Sequence, residues 1–313
     1  TKPLSKIGAS FFPINKSKLP ISIKGSDYLR PIIFYENKGS AQCKTCVMFA
    51  SLNTPGEMKI IAHKSRDHTE LMFKNLKIPI KVTKGKKVDL IKVSSPKLIS
   101  NFNIKVPGDI SSASFFIVLT ILSKNSELIL KHINLNPSRL GVIKILNKMG
   151  AKIKTKNIKN YNGEKCGDIY VKSVQNLKGI NCPSSLNSSA IDEFLIIFLV
   201  ACKAKGISYF KNLSELDQKE SPRLKLGSKI LNMMGIKTKL TKSSIKIYGN
   251  PNLSLDKHFV IKNYLKDHRI MALCTIAALT LGGNWKIFDP KSIQTSFPSF
   301  LKILKENFKA KII

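Results

Sequence analysis

Two patterns of apolar and polar positions alternate along the 313 residues. The first opens on small or polar residues, enters a helix-length apolar stretch, breaks at a turn and resumes as a strand. Its copies are SAQCKTCVMFASLNTPGEMKII (40–61), SSASFFIVLTILSKNSELILKHI (111–133), AIDEFLIIFLVACKAKGISYFKNL (190–213) and DHRIMALCTIAALTLGGNWKIFD (267–289). The second opens on an arginine or proline turn, becomes an amphipathic helix and ends in a basic strand. Its copies are SRDHTELMFKNLKIPIKV (65–82), NPSRLGVIKILNKMGAKIK (136–154), SPRLKLGSKILNMMGIKTKL (221–240) and TSFPSFLKILKENFKAKI (295–312). Arg66, Arg139 and Arg223 open three of these, 73 and then 84 residues apart. Self-similarity at such a period predicts a repeated unit of strand, helix, strand, helix and hairpin. Residues 1–12, TKPLSKIGASFF, read as the tail of a further second-type copy, so the array is expected to be cut at its front. Pro107-Gly108 is a turn between the strand FNIKV and a helix starting near Ser111, and it predicts a domain boundary there.

Composition adds limits. At 43% apolar residues the chain can bury two cores. The longest apolar stretches, FLIIFLVAC (194–202) and IMALCTIAALTL (270–281), fall short of the roughly 18–20 residues a membrane helix needs, and they read as buried helices. No secretory signal is visible in these residues, so none is expected. Of the six cysteines, Cys43 and Cys46 form a CxxC that lacks the second ligand pair a zinc site needs. Cys182, Cys202 and Cys274 sit in apolar or turn contexts typical of packed thiols. A reducing cytoplasm is the expected compartment, with no metal and no membrane partner.

A net charge of +34 invites a nucleic-acid reading. In IPIKVTKGKKV (78–88) and IKTKLTKSSIKIYG (236–249), however, lysines alternate with Ile, Val and Leu. That spreads the charge over the wet faces of half-buried strands instead of clustering it. No nucleic-acid partner is expected; small anionic ligands are favoured by the overall field.

Against 48 lysines stand five arginines, and Arg66, Arg139, Arg223 and Arg269 each fall at a predicted helix start. A cation there opposes the helix dipole. It suits an anion, because the exposed N–H groups, the dipole and the planar guanidinium fork all act in one direction. The competing reading is that Asp67 and Asp267 cap their helices and pair with the adjacent arginine on a wet surface. Arg139, with no acid beside it, is expected to brace its helix start. Asp192-Glu193 precedes the most apolar helix, and Lys219-Glu220 lies just ahead of Arg223. Acids beside cations at helix mouths are candidates for general acid and base work, or else for capping.

In order along nearly the whole chain, GSAQCKT (39–45), SRDHTE (65–70), PGDISSASF (107–115), LNPSRLGVI with MGA (135–151), IDEF (191–194), KESPRL (219–224), DHRIM (267–271) and TSFPSF (295–300) resemble the successive motifs of the EPSP synthases, the 3-phosphoshikimate 1-carboxyvinyltransferases. The resemblance implies an α/β fold, the inside-out α/β barrel of enolpyruvyl transferases, with repeated βαβαββ units in two domains that close on substrates. Residues 1–107 would form an incomplete upper domain on the shikimate 3-phosphate side. Residues 108–313 would form the lower domain, with the catalytic acids and the phosphoenolpyruvate arginines. The implied reaction moves the enolpyruvyl group of phosphoenolpyruvate to the 5-hydroxyl of shikimate 3-phosphate by addition and elimination, with no cofactor, in a monomer. Ser40, Ala41, Gln42 and Arg66 would hold shikimate 3-phosphate, with Asp192 as base at its hydroxyl and Lys219 as a further ligand. Glu220 would give and take the proton at the methylene carbon. Arg223, His268 and Arg269 would grip phosphoenolpyruvate, with Gln42 reaching it as well.

Three departures qualify the resemblance. The family's first lysine-serine motif, its glycine-rich loop and an upstream arginine have no counterpart after Thr1, so activity of this chain alone is not implied. Pro222 stands where many members have Asp, at a position a first helical turn tolerates. Gln294 and Thr295 stand where some members carry lysine. The alternatives are a UDP-sugar enolpyruvyl transferase, which the SAQ and SRDHTE motifs disfavour, and a non-catalytic basic protein that binds anions or nucleic acid.

Overall fold

In the computed structural model, which describes residues 1–13 and 19–312, the chain divides into two compact units. The first is Thr1–Val106 with Asn160–Lys165, and the second is Pro107–Lys159 with Cys166–Ile313.

Unit 1 begins with α1 (Lys2–Ile7), β1 (Ser10–Phe12) and β2 (Ser22–Lys24), the last two an antiparallel pair. Then follows one whole repeat: β3 (Ile33–Glu36), α2 (Ala41–Ala50), β4 (Glu57–His63), α3 (His68–Asn75), β5 (Ile80–Lys84) and β6 (Val88–Ser94). The sheet order is β3-β4-β6-β5, with β3 parallel to β4 and the other pairs antiparallel. Alternation sets its inner face, because a strand's successive side chains point to opposite sides. Met58 and Ile60 of β4 lie opposite Val93 and Ile91 of β6. All four are buried with Val47 and Met48 of α2 and Phe73 of α3.

Unit 2 continues the repeat three times. The first run is α4 (Ile110–Leu122), β7 (Glu127–Asn134), α5 (Gly141–Lys148), β8 (Lys152–Tyr161) and β9 (Glu164–Lys172). The second is α6 (Asn187–Ala190), α7 (Phe194–Lys203), β10 (Ile207–Phe210), α8 (Arg223–Met233), β11 (Thr238–Leu240) and β12 (Ile245–Tyr248). The third is β13 (Leu255–Ile261), α9 (His268–Leu281), β14 (Gly282–Ile287) and α10 (Phe300–Phe308). Helices α4, α7 and α9 touch one another pairwise. Their apolar residues run all round, as burial on every side requires, and Phe194–Cys202 is buried without a break. Each of the three also packs on a strand, α4 on β7, α7 on β12 and α9 on β14. Helices are therefore inside and the sheets, ordered β7-β9-β8, β10-β12-β11 and β13-β14, lie around them.

Two expected strands are reduced. The segments leading into α4 and α7 make only isolated parallel bridges, Gly108 to Ile133, Lys178 to Lys205 and Asn181 to Tyr209. The basic tail after α10 forms no strand. Lys309 takes a left-handed conformation with φ 52°, Ala310 N–H folds back to the Leu304 carbonyl at 3.1 Å, and Ala310 and Ile312 pack on the core. Among the described residues the sheets do not close into a hydrogen-bonded barrel, and no helix is long and apolar enough to cross a membrane.

Candidate active site

Apart from Arg139, the acids and cations singled out from unit 2 gather where α7, α8 and α9 begin. Helix α8 starts at Arg223, after Pro222. Its exposed N–H groups are met from outside the helix, since Asp217 Oδ1 accepts from Leu224 N at 2.8 Å and from Lys225 N at 3.3 Å. Asp267 caps α9 by accepting from Arg269 N at 2.9 Å. It also reaches α8: Oδ2 accepts from Arg223 Nε at 2.9 Å and from Ser221 Oγ at 2.7 Å. Of the competing reading, the cap at Asp267 is present, but its ion pair is a sealed one with an arginine 44 residues earlier instead of a surface pair with its neighbour.

Arg223 is 1% exposed, and each of its three nitrogens is engaged. Nη1 donates to Asp192 Oδ1 at 3.3 Å, Nη2 to Glu220 Oε2, and Nε to Asp267. Lys219 Nζ lies 3.8 Å from Asp192 Oδ1 and donates to Glu215 Oε1 at 2.7 Å. Arg269 Nη1 donates to the Asp192 carbonyl at 2.8 Å, and Nη2 stands 3.9 Å from Asp192 Oδ2. Asp192 is thus enclosed by three cations. The acids differ in access: Glu220's side chain is 59% exposed, Asp192's 13%.

These surroundings tune the groups. Burial by itself raises the Asp267 carboxyl, but the Arg223 bond and charge, the Ser221 hydroxyl and the Arg269 N–H outweigh it and hold it below the ordinary carboxylate range. Glu193, sealed at 1% exposure, goes the other way. Burial pushes its carboxyl up, against the pull of Arg269, with Asp192 adding to the rise. Burial and the Arg269 charge keep His268 below its usual value, with Asp267 opposing, so the imidazole is neutral at pH 7.

Glu193 holds the N-cap position of α7 without a side-chain capping bond, and Glu220 precedes α8 and bonds to Arg223. Arg139 makes no direct ion pair with Asp192 or Glu220 among the described contacts and acts as a brace. It donates to Asp109 Oδ1 at 2.8 Å and to Ser111 Oγ at 2.5 Å, at the start of α4.

In unit 1, Ser40 caps α2 by accepting from Cys43 N at 3.2 Å, which puts Ala41 and Gln42 in the first turn. Arg66 lies in the loop ahead of α3, and Lys44 ties the two places together. Its Nζ donates to the Arg66 carbonyl at 2.8 Å and to Glu70 Oε1 at 2.6 Å in a buried ion pair. Asp67 occupies the N-cap of α3 without a side-chain capping bond. Cys43 and Cys46 are exposed free thiols, and no group of three or more metal-ligating side chains occurs among the described residues.

Lys44, Glu70, Ser111, Ser221 and Asp217 did not emerge as site residues from the chain alone, whereas Glu193 was singled out with Asp192 but given no role. Their one signal in the chain was a polar side chain close to a candidate residue.

The family model described as EPSP synthase (3-phosphoshikimate 1-carboxyvinyltransferase) matches residues 1–304. A 3-phosphoshikimate 1-carboxyvinyltransferase of Caldicellulosiruptor bescii is 38% identical over 311 residues, 99% of this chain and 71% of the relative. One of Ruthia magnifica is 38% identical over 310 residues, covering 97% and 68%. The structure of EPSP synthase from Acinetobacter baumannii superposes with a TM-score of 0.85 at 33% identity, covering 97% of this chain and 68% of that one. The enolpyruvyl transferase NikO from Streptomyces tendae, 12% identical with a TM-score of 0.66, shares the fold.

Proposed function

The chain belongs to the EPSP synthase family, and on that premise we propose which of its residues carry the transfer of the enolpyruvyl group from phosphoenolpyruvate to shikimate 3-phosphate. The chain is an enolpyruvyl transferase acting on these two small molecules. In the proposed division of labour, residues 1–107 serve shikimate 3-phosphate and residues 108–313 carry the catalytic acids.

Ser40, Ala41, Gln42 and Arg66 take shikimate 3-phosphate, using N–H groups at the start of α2 and the Arg66 fork. Asp192 is the base at the 5-hydroxyl, and Lys219 binds the same substrate. Arg223, His268 and Arg269 grip phosphoenolpyruvate, and Gln42 contacts it. Glu220 delivers the proton to the methylene carbon as the hydroxyl oxygen bonds to C2. It then takes a proton back from the methyl group as phosphate departs. Two features support this reading. Glu220 is the exposed acid of the set, so it can leave Arg223 Nη2 to reach carbon, which returns that N–H to a substrate carboxylate. Around Asp192, three cations stabilise charge that develops as the hydroxyl loses its proton. No metal or organic cofactor is assigned, and the proposed working form is a cytoplasmic monomer.

The observation that carries the reading is the convergence of Asp192, Lys219, Glu220, Arg223 and Arg269 from three separate motifs on one cluster. The test is inorganic phosphate release by the purified chain. Release that needs both substrates and is lost in Arg269→Ala supports it; release from phosphoenolpyruvate alone, or an unaffected variant, overturns it.

A further inference from the structure

A relay that is open to solvent at Asp109 and buried at Ser111 and Glu193 runs behind Arg269. Asp109 Oδ1 accepts from Arg139 Nη2 at 2.8 Å, and the same nitrogen donates to Ser111 Oγ at 2.5 Å. Ser111 Oγ donates to Glu193 Oε1, which lies 3.8 Å from Arg269 Nη1. Ser111 and Glu193 are 3% and 1% exposed. A buried carboxylate costs several kcal/mol in desolvation unless cations and donors compensate it, and capping does not explain this one. Charge-assisted bonds that feed one another polarise and stiffen such a chain.

We propose that Glu193 is the positioning residue for Arg269. Ser111, set by Arg139, holds the Glu193 carboxylate against Nη1, which fixes the inner edge of the guanidinium on the Asp192 carbonyl and leaves the outer edge for phosphoenolpyruvate. The inference rests on the reading of Arg269 given above. Simple electrostatics predicts the opposite sign, because deleting a negative charge beside an anion site should tighten it. Glu193→Gln keeps an acceptor for Ser111 but turns a donor toward Nη1, so the positioning role predicts weaker binding.

The chain is titrated calorimetrically with phosphoenolpyruvate in saturating shikimate 3-phosphate, and separately with shikimate 3-phosphate alone. Glu193→Gln and Ser111→Ala are expected to weaken phosphoenolpyruvate by about tenfold to a hundredfold, the range for a misplaced binding group, with shikimate 3-phosphate affinity kept. Five arginines give five Nε–H signals in a 15N spectrum, and in both variants the Arg269 signal, assigned by its loss in Arg269→Lys, should move while that of Arg30 stays. If Arg269→Ala leaves phosphoenolpyruvate affinity intact, the site reading itself fails and the inference with it. If Arg269→Ala abolishes binding but Glu193→Gln and Ser111→Ala bind as the parent or more tightly, with an unmoved Arg269 signal, only the positioning role is overturned. Should Glu193→Gln not fold, Ser111→Ala decides the matter by the same two readouts.

Discussion

Arg223 Nε donates to Asp267 Oδ2 at 2.9 Å inside a site where neither side chain meets solvent. One carboxylate thereby caps α9 and anchors the first residue of α8. Removing it takes the partner from the buried Arg223 Nε–H and leaves the guanidinium with Asp192 and Glu220 alone. Asp267→Ala should cost about 3–5 kcal/mol, the range for breaking a buried pair, measured by urea unfolding. Because the folded Asp267 carboxyl lies below its ordinary value of 3.8, its contribution is in place above that value and is lost as pH falls through the lowered one. The parent should therefore lose stability in acid more steeply than Asp267→Ala does.

The Lys44 to Glu70 pair in unit 1 is equally enclosed, with side chains 3% and 5% exposed and an Nζ to Oε1 distance of 2.6 Å. Glu70→Leu alone should destabilise by about 3–5 kcal/mol, whereas Lys44→Met with Glu70→Leu should recover most of the loss. The double variant should still bind shikimate 3-phosphate more weakly, because the Arg66 carbonyl loses its donor. Denaturation and calorimetry on the four members of the cycle check both statements.

How much of this was legible in the chain varies by residue. The repeat and the buried helices α4, α7 and α9 were readable because apolar period and helix length are local properties. Arg66, Arg223 and Arg269 stood out because arginine is rare in this lysine-rich chain. The Arg223 to Asp267 pair was not readable: both residues were noticed, but nothing local marks a partner 44 residues away. Asp217 capping α8 from seven residues upstream of Leu224 is hidden in the same way. The basic tail at 309–312 follows the strand pattern of its sister copies, yet it folds back onto the core, since a strand also needs a neighbour to pair with.

Gly141 opens α5 against α6. A Cβ there would stand 2.6 Å from the backbone carbonyl carbon of Ser189, two residues before the Ile191–Asp192 turn. Backbone cannot yield as a side-chain tip can, so Gly141→Ala should cost about 1–3 kcal/mol by overpacking. It should also raise the KM for phosphoenolpyruvate. An unchanged melting temperature and KM would refute the close approach.

His268 should titrate below its ordinary value of 6.5 when its ring protons are followed by NMR, since burial and the Arg269 charge both disfavour the imidazolium. For a lowered group the stability contribution is present above 6.5 and lost as pH falls through the folded value. Arg269→Ala should move the midpoint upward. A midpoint above 6.5 in the parent would contradict the environment described for this ring.

The central claim is that Glu220 passes a proton to and from the methylene carbon of phosphoenolpyruvate. It is tested most directly by running the reaction in D2O and reading deuterium at the vinyl carbon of the product by NMR and mass spectrometry. The parent chain should give a deuterated vinyl methylene, and Glu220→Gln a rate of label entry at least about a hundredfold lower, in line with the loss of one general acid or base. A product formed by the parent with an unlabelled methylene, or label entering Glu220→Gln at the parent rate, would contradict it.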